Sequence, residues 1–281
     1  MPQASAVTAH APQRGPAGNY YMEIHPDPDR LHRRRAGLGL RPPPARRPRT
    51  SLFRLLLLAV AGLFLLSVVL TASLRWLNPP TSAFMLAARL VAVANGDQKF
   101  HIEQRWIPLA AQSPWASVAV IAAEDQKFPR HRGFDFDAMH SALDAHQRGA
   151  GLRGASTLSQ QLAKNLYLWS GRSWLRKALE AWLTLLLEST LDKRRILELY
   201  LNVVEFGPGV YGVEAASQRY FGHSADALSA EQAAALAAVL PSPSNYSVTA
   251  PSDYVRARQR WILAQMRALG GVAVVRSLDP R

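Results

Sequence analysis

The feature that most constrains this chain is an uninterrupted apolar run at residues 55–74. Its twenty residues, LLLLAVAGLFLLSVVLTASL, contain no charge and no proline and lie between Arg54 and Arg75. At about 1.5 Å of rise per residue, twenty helical residues match the roughly 30 Å hydrocarbon core of a bilayer. A buried core helix would show periodic polar positions, whereas this run has only two serines and one threonine. We therefore expect a transmembrane helix over 55–74.

Much of the positive charge lies before this run. Of a net +13 in 281 residues, residues 1–54 carry +7, from ten arginines against three acidic residues. The same tail holds nine of the 19 prolines, which predicts a disordered basic segment. A cleaved signal peptide is the competing interpretation of the apolar run. However, both the charged segment and the run are longer than signal peptides usually have, which favours an uncleaved anchor.

The arginines beside the span predict its orientation. Five arginines lie within residues 41–54, and only Arg75 directly follows the run. By the positive-inside rule, the N-terminus is cytoplasmic and everything after about residue 75 lies outside. The tail then serves as a topology signal that also contacts anionic membrane lipids, and we expect no nucleic-acid partner. The absence of cysteine excludes a disulfide scaffold, a thiolate zinc site and a cysteine nucleophile.

The residues after the span divide into two regions. Residues 75–118 contain several prolines and a Gly-Asp pair, and we expect a connector with a small membrane-proximal subdomain. In residues 119–281, apolar side chains recur at steps of three and four, which predicts a mainly α domain without internal repeats. The predicted helices cover 155–169, 174–190, 193–206, 210–221, 231–240 and 254–269.

Two of these helices carry clear end signals. Ser229 and Gln232 form a capping-box pattern, and Gly270-Gly271 follows the last helix. Residues 193–206 have apolar positions that favour a packed helix, ended by the Gly-Pro-Gly turn that follows. We interpret that segment as structural.

A first candidate site residue is Glu124. It closes the apolar run 118–123 and opens the segment EDQKFPRHRGFD, residues 124–135. At the edge of a core, desolvation favours the protonated carboxyl group and makes the carboxylate a better base near neutral pH. On composition alone, a solvated turn of mixed charge is the stronger interpretation of this segment.

A second candidate is the polar face of GASTLSQQLAKN, residues 154–165. On a helical wheel, five side chains bearing hydroxyl, carboxamide and ammonium groups share one arc opposite the leucines: Ser156, Thr157, Gln160, Gln161 and Lys164. Solvated helix faces normally use Glu and Lys, so this face is suited to hydrogen-bonding a sugar or a phosphate. A polar helix packed on another polar surface is the alternative.

A third candidate combines Arg172, Arg176, Lys177 and Glu180. Cations near a helix start oppose the helix dipole, and a bound anion would account for them. The alternative is an ordinary exposed pair of Glu180 with Arg176, four residues earlier.

Four segments, EDQKFPRHRGFD, GASTLSQQLAKN, RKALE and KRRILELYLN, in this order and spacing, resemble the motifs of the peptidoglycan glycosyltransferase family, glycosyltransferase family 51. The resemblance covers about residues 80–270. A basic residue expected between the first two motifs corresponds to either Arg148 or Arg153. Three mild departures replace the more frequent Gly, Ile and Thr and leave the polar face intact: Ala155, Leu158 and Ser159.

The resemblance implies a lysozyme-like helical glycosyltransferase domain that polymerises lipid II, a polyprenyl-diphosphate-linked disaccharide-pentapeptide. In each inverting step, the acceptor's GlcNAc 4-hydroxyl attacks the anomeric carbon of the chain's terminal MurNAc and the lipid diphosphate leaves. By motif, Glu124 corresponds to the base, and Lys164 and Arg172 correspond to the cations that bind the diphosphate. Glu180 corresponds to the second catalytic carboxylate, whose role is open between orienting those cations, orienting the acceptor and holding a divalent ion.

The resemblance further implies that Ser156, Thr157, Gln160 and Gln161 hold sugar and phosphate oxygens. It allows Mg²⁺ or Mn²⁺ at the diphosphate and implies no organic cofactor. The expected partners are lipid II, the growing glycan strand, membrane lipids, and cell-wall synthesis or division proteins. The expected location is the bacterial inner membrane, with a single pass and a periplasmic catalytic domain.

Two other function classes compete with this one. A lytic transglycosylase or hydrolase of the same shape would also use carboxylates on glycosidic bonds, but a polysaccharide substrate gives no reason for cations suited to a diphosphate. A non-enzymatic membrane-anchored scaffold fits the basic tail but leaves the uncharged polar helix face unexplained.

Overall fold

The computed structural model describes residues 52–148 and 156–278. The chain divides into two units, Met1–Leu55 and Leu56–Arg281, and the second contains nearly all described residues. Within the described ranges there are eleven α-helices: α1 Leu52–Ser73, α2 Ala83–Ala94, α3 Pro114–Glu124, α4 Phe136–Gln147, α5 Leu158–Tyr167, α6 Trp174–Thr190, α7 Lys193–Val203, α8 Val213–Phe221, α9 Ala230–Val239, α10 Asp253–Ala268 and α11 Ala273–Arg276. The mainly α prediction is confirmed.

Side-chain caps explain why most of these helices start where they do. The oxygen of the residue before the helix accepts a backbone N–H of the first turn, which satisfies one of the free donors there. The predicted capping box of Ser229 and Gln232 is present at α9, and a second one joins Thr157 and Gln160 at α5. Caps of this kind begin α2 through α7, α9 and α10: Ser82, Ser113, Asp135, Thr157, Ser173, Asp192, Ser229 and Ser252.

The predicted helix over 193–206 is too long at its C-terminal end. Helix α7 stops at Val203, and the chain continues into strand β2, Glu205–Gly207, and strand β3, Val210–Tyr211. These pair antiparallel around Pro208 and Gly209, and β3 also pairs parallel with β1, Glu103–Gln104. Gly209 has φ 75°, and a Cβ there would lie 2.9 Å from the His101 carbonyl oxygen, so the turn requires glycine.

The predictions also missed four helices and misplaced two starts by three residues. Helices α2, α3, α4 and α11 lie where the sequence predicted a connector or no defined element. The helix predicted from residue 155 begins at Leu158, because Thr157 is its cap. The helix predicted from residue 210 begins at Val213, because residues 210 and 211 form strand β3. Ala155 itself lies outside the described residues.

Helix α3 lies at the centre of the domain. Its residues 116–122 are all buried. On one side, Val120 and Ile121 join a core that includes leucines of α5 and α7. On the other side, Val118, Ala119 and Ala122 join a second core with α9 and α10. The last residue of this buried helix is Glu124, so the two cores together fix the position of its carboxylate.

Helix α1 is the one described helix that is long and apolar enough to cross a membrane, with a mean hydropathy of 2.7. Its C-terminal half contacts the rest of the domain. The Phe64 ring stacks on Trp182 of α6 at 4.7 Å between centroids, and the indole N–H of Trp182 donates to Ser67 Oγ at 3.1 Å. The Arg195 guanidinium of α7 donates to the carbonyl oxygens of Leu74 and Leu77. The span is therefore attached directly to the helical domain.

Candidate active site

The Glu124 carboxylate accepts two hydrogen bonds from helices distant in sequence. Gln161 Nε2 of α5 donates to one oxygen at 2.9 Å, and Arg258 Nη2 of α10 donates to the other at 2.9 Å. The Glu124 side chain is 14% exposed. The carboxylate is therefore held in place on two sides and keeps a narrow access to solvent.

Burial raises the pKa of Glu124 above its usual value, and this is the largest effect on it. The Gln161 hydrogen bond opposes that rise, as do the charge and hydrogen bond of Arg258 and the charge of Lys164. A carboxylate whose pKa is moved towards neutrality is a more effective proton acceptor than an ordinary surface glutamate. These opposing effects make Glu124 suited to general-base chemistry.

A second chain of contacts orients Gln161. The Tyr200 hydroxyl of α7, fully buried, donates to Gln161 Oε1 at 3.1 Å. The carboxamide oxygen of Gln161 therefore faces Tyr200, and its NH₂ group faces Glu124. Burial raises the pKa of Tyr200 well above its usual value, so its hydroxyl remains a donor at neutral pH.

The first two motifs are tied to each other at the start of α5. Asp125 is buried and accepts the backbone N–H of Leu158 at 2.9 Å and the Nε2–H of His131 at 2.9 Å. The Thr157 hydroxyl donates to the Gly133 carbonyl at 2.6 Å. These contacts bring Gln161 to Glu124 and give Asp125, His131 and Thr157 structural tasks.

Lys164, one turn of α5 beyond Gln161, is a partly buried cation. Burial lowers its pKa, and the charges of Glu180 and Glu124 oppose that effect. Its ammonium lies 5.4 Å from the centroid of the Phe84 ring of α2. Lys164 therefore interacts electrostatically with both candidate carboxylates.

The buried carboxylate of Glu180 organises further cations on α6. It pairs with Arg176 Nη1 at 2.7 Å and with Lys177 Nζ. The i, i+4 pair of Glu180 with Arg176 that was the alternative is present, but it is buried, because the Glu180 side chain is only 3% exposed. Arg172 lies exposed in the loop between α5 and α6. This arrangement favours the cation-orienting role among the three that were open for Glu180.

Glu124 lines two cavities. One has a volume of about 790 Å³ and is lined by Glu124, Ser156 and Gln161 together with Tyr254, Arg258 and Trp261 of α10. The other, of about 320 Å³, is lined by Glu124, Ser156, Thr157 and a group around Lys127, Asp135 and Asp137. One carboxylate is thus accessible from two binding spaces.

The remaining predicted site residues fall into two groups. Ser156 and Gln161 line a cavity with Glu124. Gln160 is buried, and its side chain closes the capping box on the Thr157 backbone, so the structure gives it a structural task instead of a place on the polar face. Arg148 is exposed at the end of α4, and Arg153 lies outside the described residues.

The sequence interpretation missed Arg258 and Tyr200. Arg258 lies 134 residues after its partner Glu124, on a helix whose sequence pattern is that of an ordinary amphipathic helix. Tyr200 lies within the segment interpreted as structural. Tyr200 is part of the motif KRRILELYLN, but no local signal identifies Arg258, and both residues reach the site only through contacts with distant elements.

Replacement of Arg258 by Met tests whether it controls the basicity of Glu124. Because the guanidinium lowers the pKa of Glu124, its loss should raise that pKa further and move the acid limb of kcat/KM to higher pH. Activity at alkaline pH should be largely retained. The matched control is Arg260→Met, an exposed neighbour on the same helix. A uniformly lower rate with an unmoved acid limb would show that Arg258 does not control the basicity of Glu124.

The donor set does not fit a resident metal ion. Within residues 52–148 and 156–278, no three His, Asp or Glu side chains form a group that could hold one. Both oxygens of Glu180 already contact cations.

The site combines a largely buried carboxylate of raised pKa with two cavities and nearby cations, on a mainly α domain joined to one helix that is long and apolar enough to span a membrane. These features fit a glycosyl-transfer enzyme. Comparison with known families agrees. Residues 92–267 match the family model described as Transglycosylase. The chain belongs to this family.

Curated relatives named biosynthetic peptidoglycan transglycosylase are similar over most of their length. The one from Cronobacter sakazakii is 53% identical over 215 residues, 76% of this chain and 88% of the relative. That of Chromohalobacter salexigens is 52% identical over 225 residues, 80% and 96% of the two chains. That of Citrobacter koseri is 54% identical over 233 residues, 80% and 93%. This chain is a peptidoglycan glycosyltransferase that polymerises glycan strands.

Proposed function

We propose that the chain extends glycan strands from lipid II, with Glu124 as the general base. The acceptor's GlcNAc 4-hydroxyl attacks the anomeric carbon of the growing strand, and its proton passes to the Glu124 carboxylate. The bond from that carbon to the diphosphate oxygen breaks, so the lipid diphosphate leaves and the configuration inverts. The observation that carries this proposal is that Glu124 lines both cavities, so donor and acceptor sugars can meet at one base.

Lys164 and Arg172 are proposed to bind the departing diphosphate, together with the cations that Glu180 orients. Fixed positive charge in a poorly solvated site stabilises a leaving anion without reorganising solvent. The buried Nε–H groups of Arg176 and Arg258 have no hydrogen-bond partner among the described residues. Buried donors are normally satisfied, so these two are candidates to donate to substrate oxygens.

The enzyme is proposed to sit in the bacterial inner membrane with its N-terminus cytoplasmic and its catalytic domain periplasmic. The arginines of residues 41–54 support this orientation, and α1 supplies the span. Because lipid II and the growing strand carry polyprenyl tails, the contacts of α1 with α6 and α7 would keep the site beside the bilayer. Association with other cell-wall synthesis or division proteins stays a prediction.

Polymer formation tests the function directly. The full chain in detergent is incubated with labelled lipid II and, separately, with preformed glycan. We expect polymer from lipid II and no change in the preformed glycan. Short products released from glycan, with no polymer from lipid II, would instead identify a lytic or hydrolytic enzyme.

A divalent cation is proposed only as a counterion of the substrate diphosphate, because the described residues offer no resident metal site. Since lysine and arginine already supply positive charge, treatment with EDTA should lower the initial rate by less than about tenfold, a change of roughly 1.4 kcal/mol in barrier. The measurement is polymerisation in EDTA, with Mg²⁺ added back as the control. Complete loss of activity that Mg²⁺ restores would contradict this assignment.

A further inference from the structure

Two aromatic side chains on α10 have no task in the mechanism above. The inner face of this helix is buried through Val255, Ile262 and Met266. Tyr254 and Trp261 are 54% and 45% exposed. They lie seven residues apart, which places them on one face of the helix about two turns from each other.

Both rings line the larger cavity beside Glu124. The same lining includes polar groups, which are the carboxylate of Glu124, the hydroxyl of Ser156, the carboxamide of Gln161 and the guanidinium of Arg258. The Tyr254 ring packs against Tyr246, at 5.3 Å between centroids. The cavity is therefore lined by both aromatic rings and hydrogen-bonding groups.

This pattern selects among the molecules that the cavity could hold. A pyranose ring has apolar C–H faces and a rim of hydroxyl groups, so it matches a cavity lined by both aromatic rings and polar groups. A lipid tail does not, because it would bury Glu124, Gln161 and Arg258 against hydrocarbon without hydrogen bonds. The volume of about 790 Å³ lies in the upper part of the range of about 300–1,000 Å³ for small-ligand sites and leaves room for more than one sugar ring.

We propose that Tyr254 and Trp261 form a saccharide-binding subsite that stacks on pyranose rings of the growing glycan strand next to Glu124. This proposal rests on the proposed function and adds to it a structural feature that sets the length of the glycan product. A strand held on these rings after each transfer stays bound for the next one. Loss of the rings therefore releases shorter strands.

Binding of a lipid-free GlcNAc–MurNAc tetrasaccharide tests the subsite apart from catalysis, because this probe lacks the diphosphate leaving group. The full chain in detergent is titrated by calorimetry. Trp261→Ala and Trp261→Leu should each weaken binding about tenfold, whereas Trp261→Phe retains a ring and should bind within about threefold of wild type. Arg260→Ala, an exposed neighbour outside the cavity lining, serves as control.

Product length on lipid II gives the second readout. Trp261→Leu and Tyr254→Leu should shorten the strands, and Tyr254→Phe should not. Thermal unfolding shows whether each variant is folded, and the Leu variant keeps apolar volume if the Ala variant is unstable. Equal tetrasaccharide affinity in wild type and Trp261→Leu would overturn the proposal. The proposal would also be overturned if Trp261→Leu bound phospholipid vesicles more weakly than wild type but bound the tetrasaccharide equally well. Failure of the wild type to polymerise lipid II would overturn the proposed function but not the binding result.

Discussion

Replacement of Glu124 by Gln is expected to lower the rate of glycan polymerisation by about 10²- to 10⁴-fold, the range that general-base catalysis usually contributes. The carboxamide is nearly isosteric but does not accept the proton of the attacking hydroxyl. Lys164, Arg172 and the cavities remain, so lipid II should still bind, and the loss should appear in kcat more than in KM. The measurement is steady-state polymerisation of labelled lipid II by the full chain in detergent.

Folding must be checked in this variant, because Glu124 is the charge partner of Arg258. The Gln161 hydrogen bond to the side-chain oxygen can persist in the amide, and solvent reaches this edge of the site, so we expect a folded protein with a slightly lower melting temperature. Glu231→Gln, at an exposed position in the first turn of α9, is the matched control and should retain full activity. Activity retained in Glu124→Gln would remove Glu124 from the base role.

The sequence allowed the position of Glu124 to be predicted, because it directly follows an apolar run. The structure explains the connection: that run lies in a helix buried between two cores, and the last residue of the helix, Glu124, lines the cavities. Helix α6, with bounds 174–190, was also predicted correctly from its periodic leucines. Local patterns therefore suffice where a single element decides the outcome.

Two of the failures share one cause, which is that partners distant in the chain decide the outcome, whereas a third concerns a local pattern that was overlooked. The helical wheel placed Gln160 with Gln161, but the wheel assumes that Thr157 is helical, whereas Thr157 is a cap that draws Gln160 back to itself. The end of α7 is decided by pairing of β3 with β1, about a hundred residues away. Arg258 reaches Glu124 only because α9 and α10 pack on α3. The two long-range contacts leave no local pattern, whereas Thr157 and Gln160 carry the Thr-x-x-Gln signature of a capping box.

The pKa directions at the site predict a narrow working range of pH. Glu124 must be deprotonated to act as the base, and burial raises its pKa, so activity is lost as pH falls through that raised value. Lys164 must be protonated to bind the diphosphate, and burial lowers its pKa, so activity is also lost as pH rises through that lowered value. The two pKa values are moved towards each other, so activity should depend on pH with a bell-shaped profile.

Replacement of Lys164 is expected to have the second largest effect and to separate these two limbs. Lys164→Gln removes a partly buried charge at the proposed diphosphate and should lower kcat by about 10²- to 10³-fold, as the loss of one preorganised electrostatic group does elsewhere. Its melting temperature should stay level or rise, because burial already disfavours the charged lysine. Lys164→Arg keeps its positive charge at all accessible pH. The pH profile of its remaining activity should therefore lack the alkaline limb and keep the acid limb that Glu124 sets.

The control is Lys99→Gln, at an exposed lysine whose side chain has no proposed role. An alkaline limb that persists unchanged in Lys164→Arg would show that another group sets it, and full activity in Lys164→Gln would remove this residue from the diphosphate site.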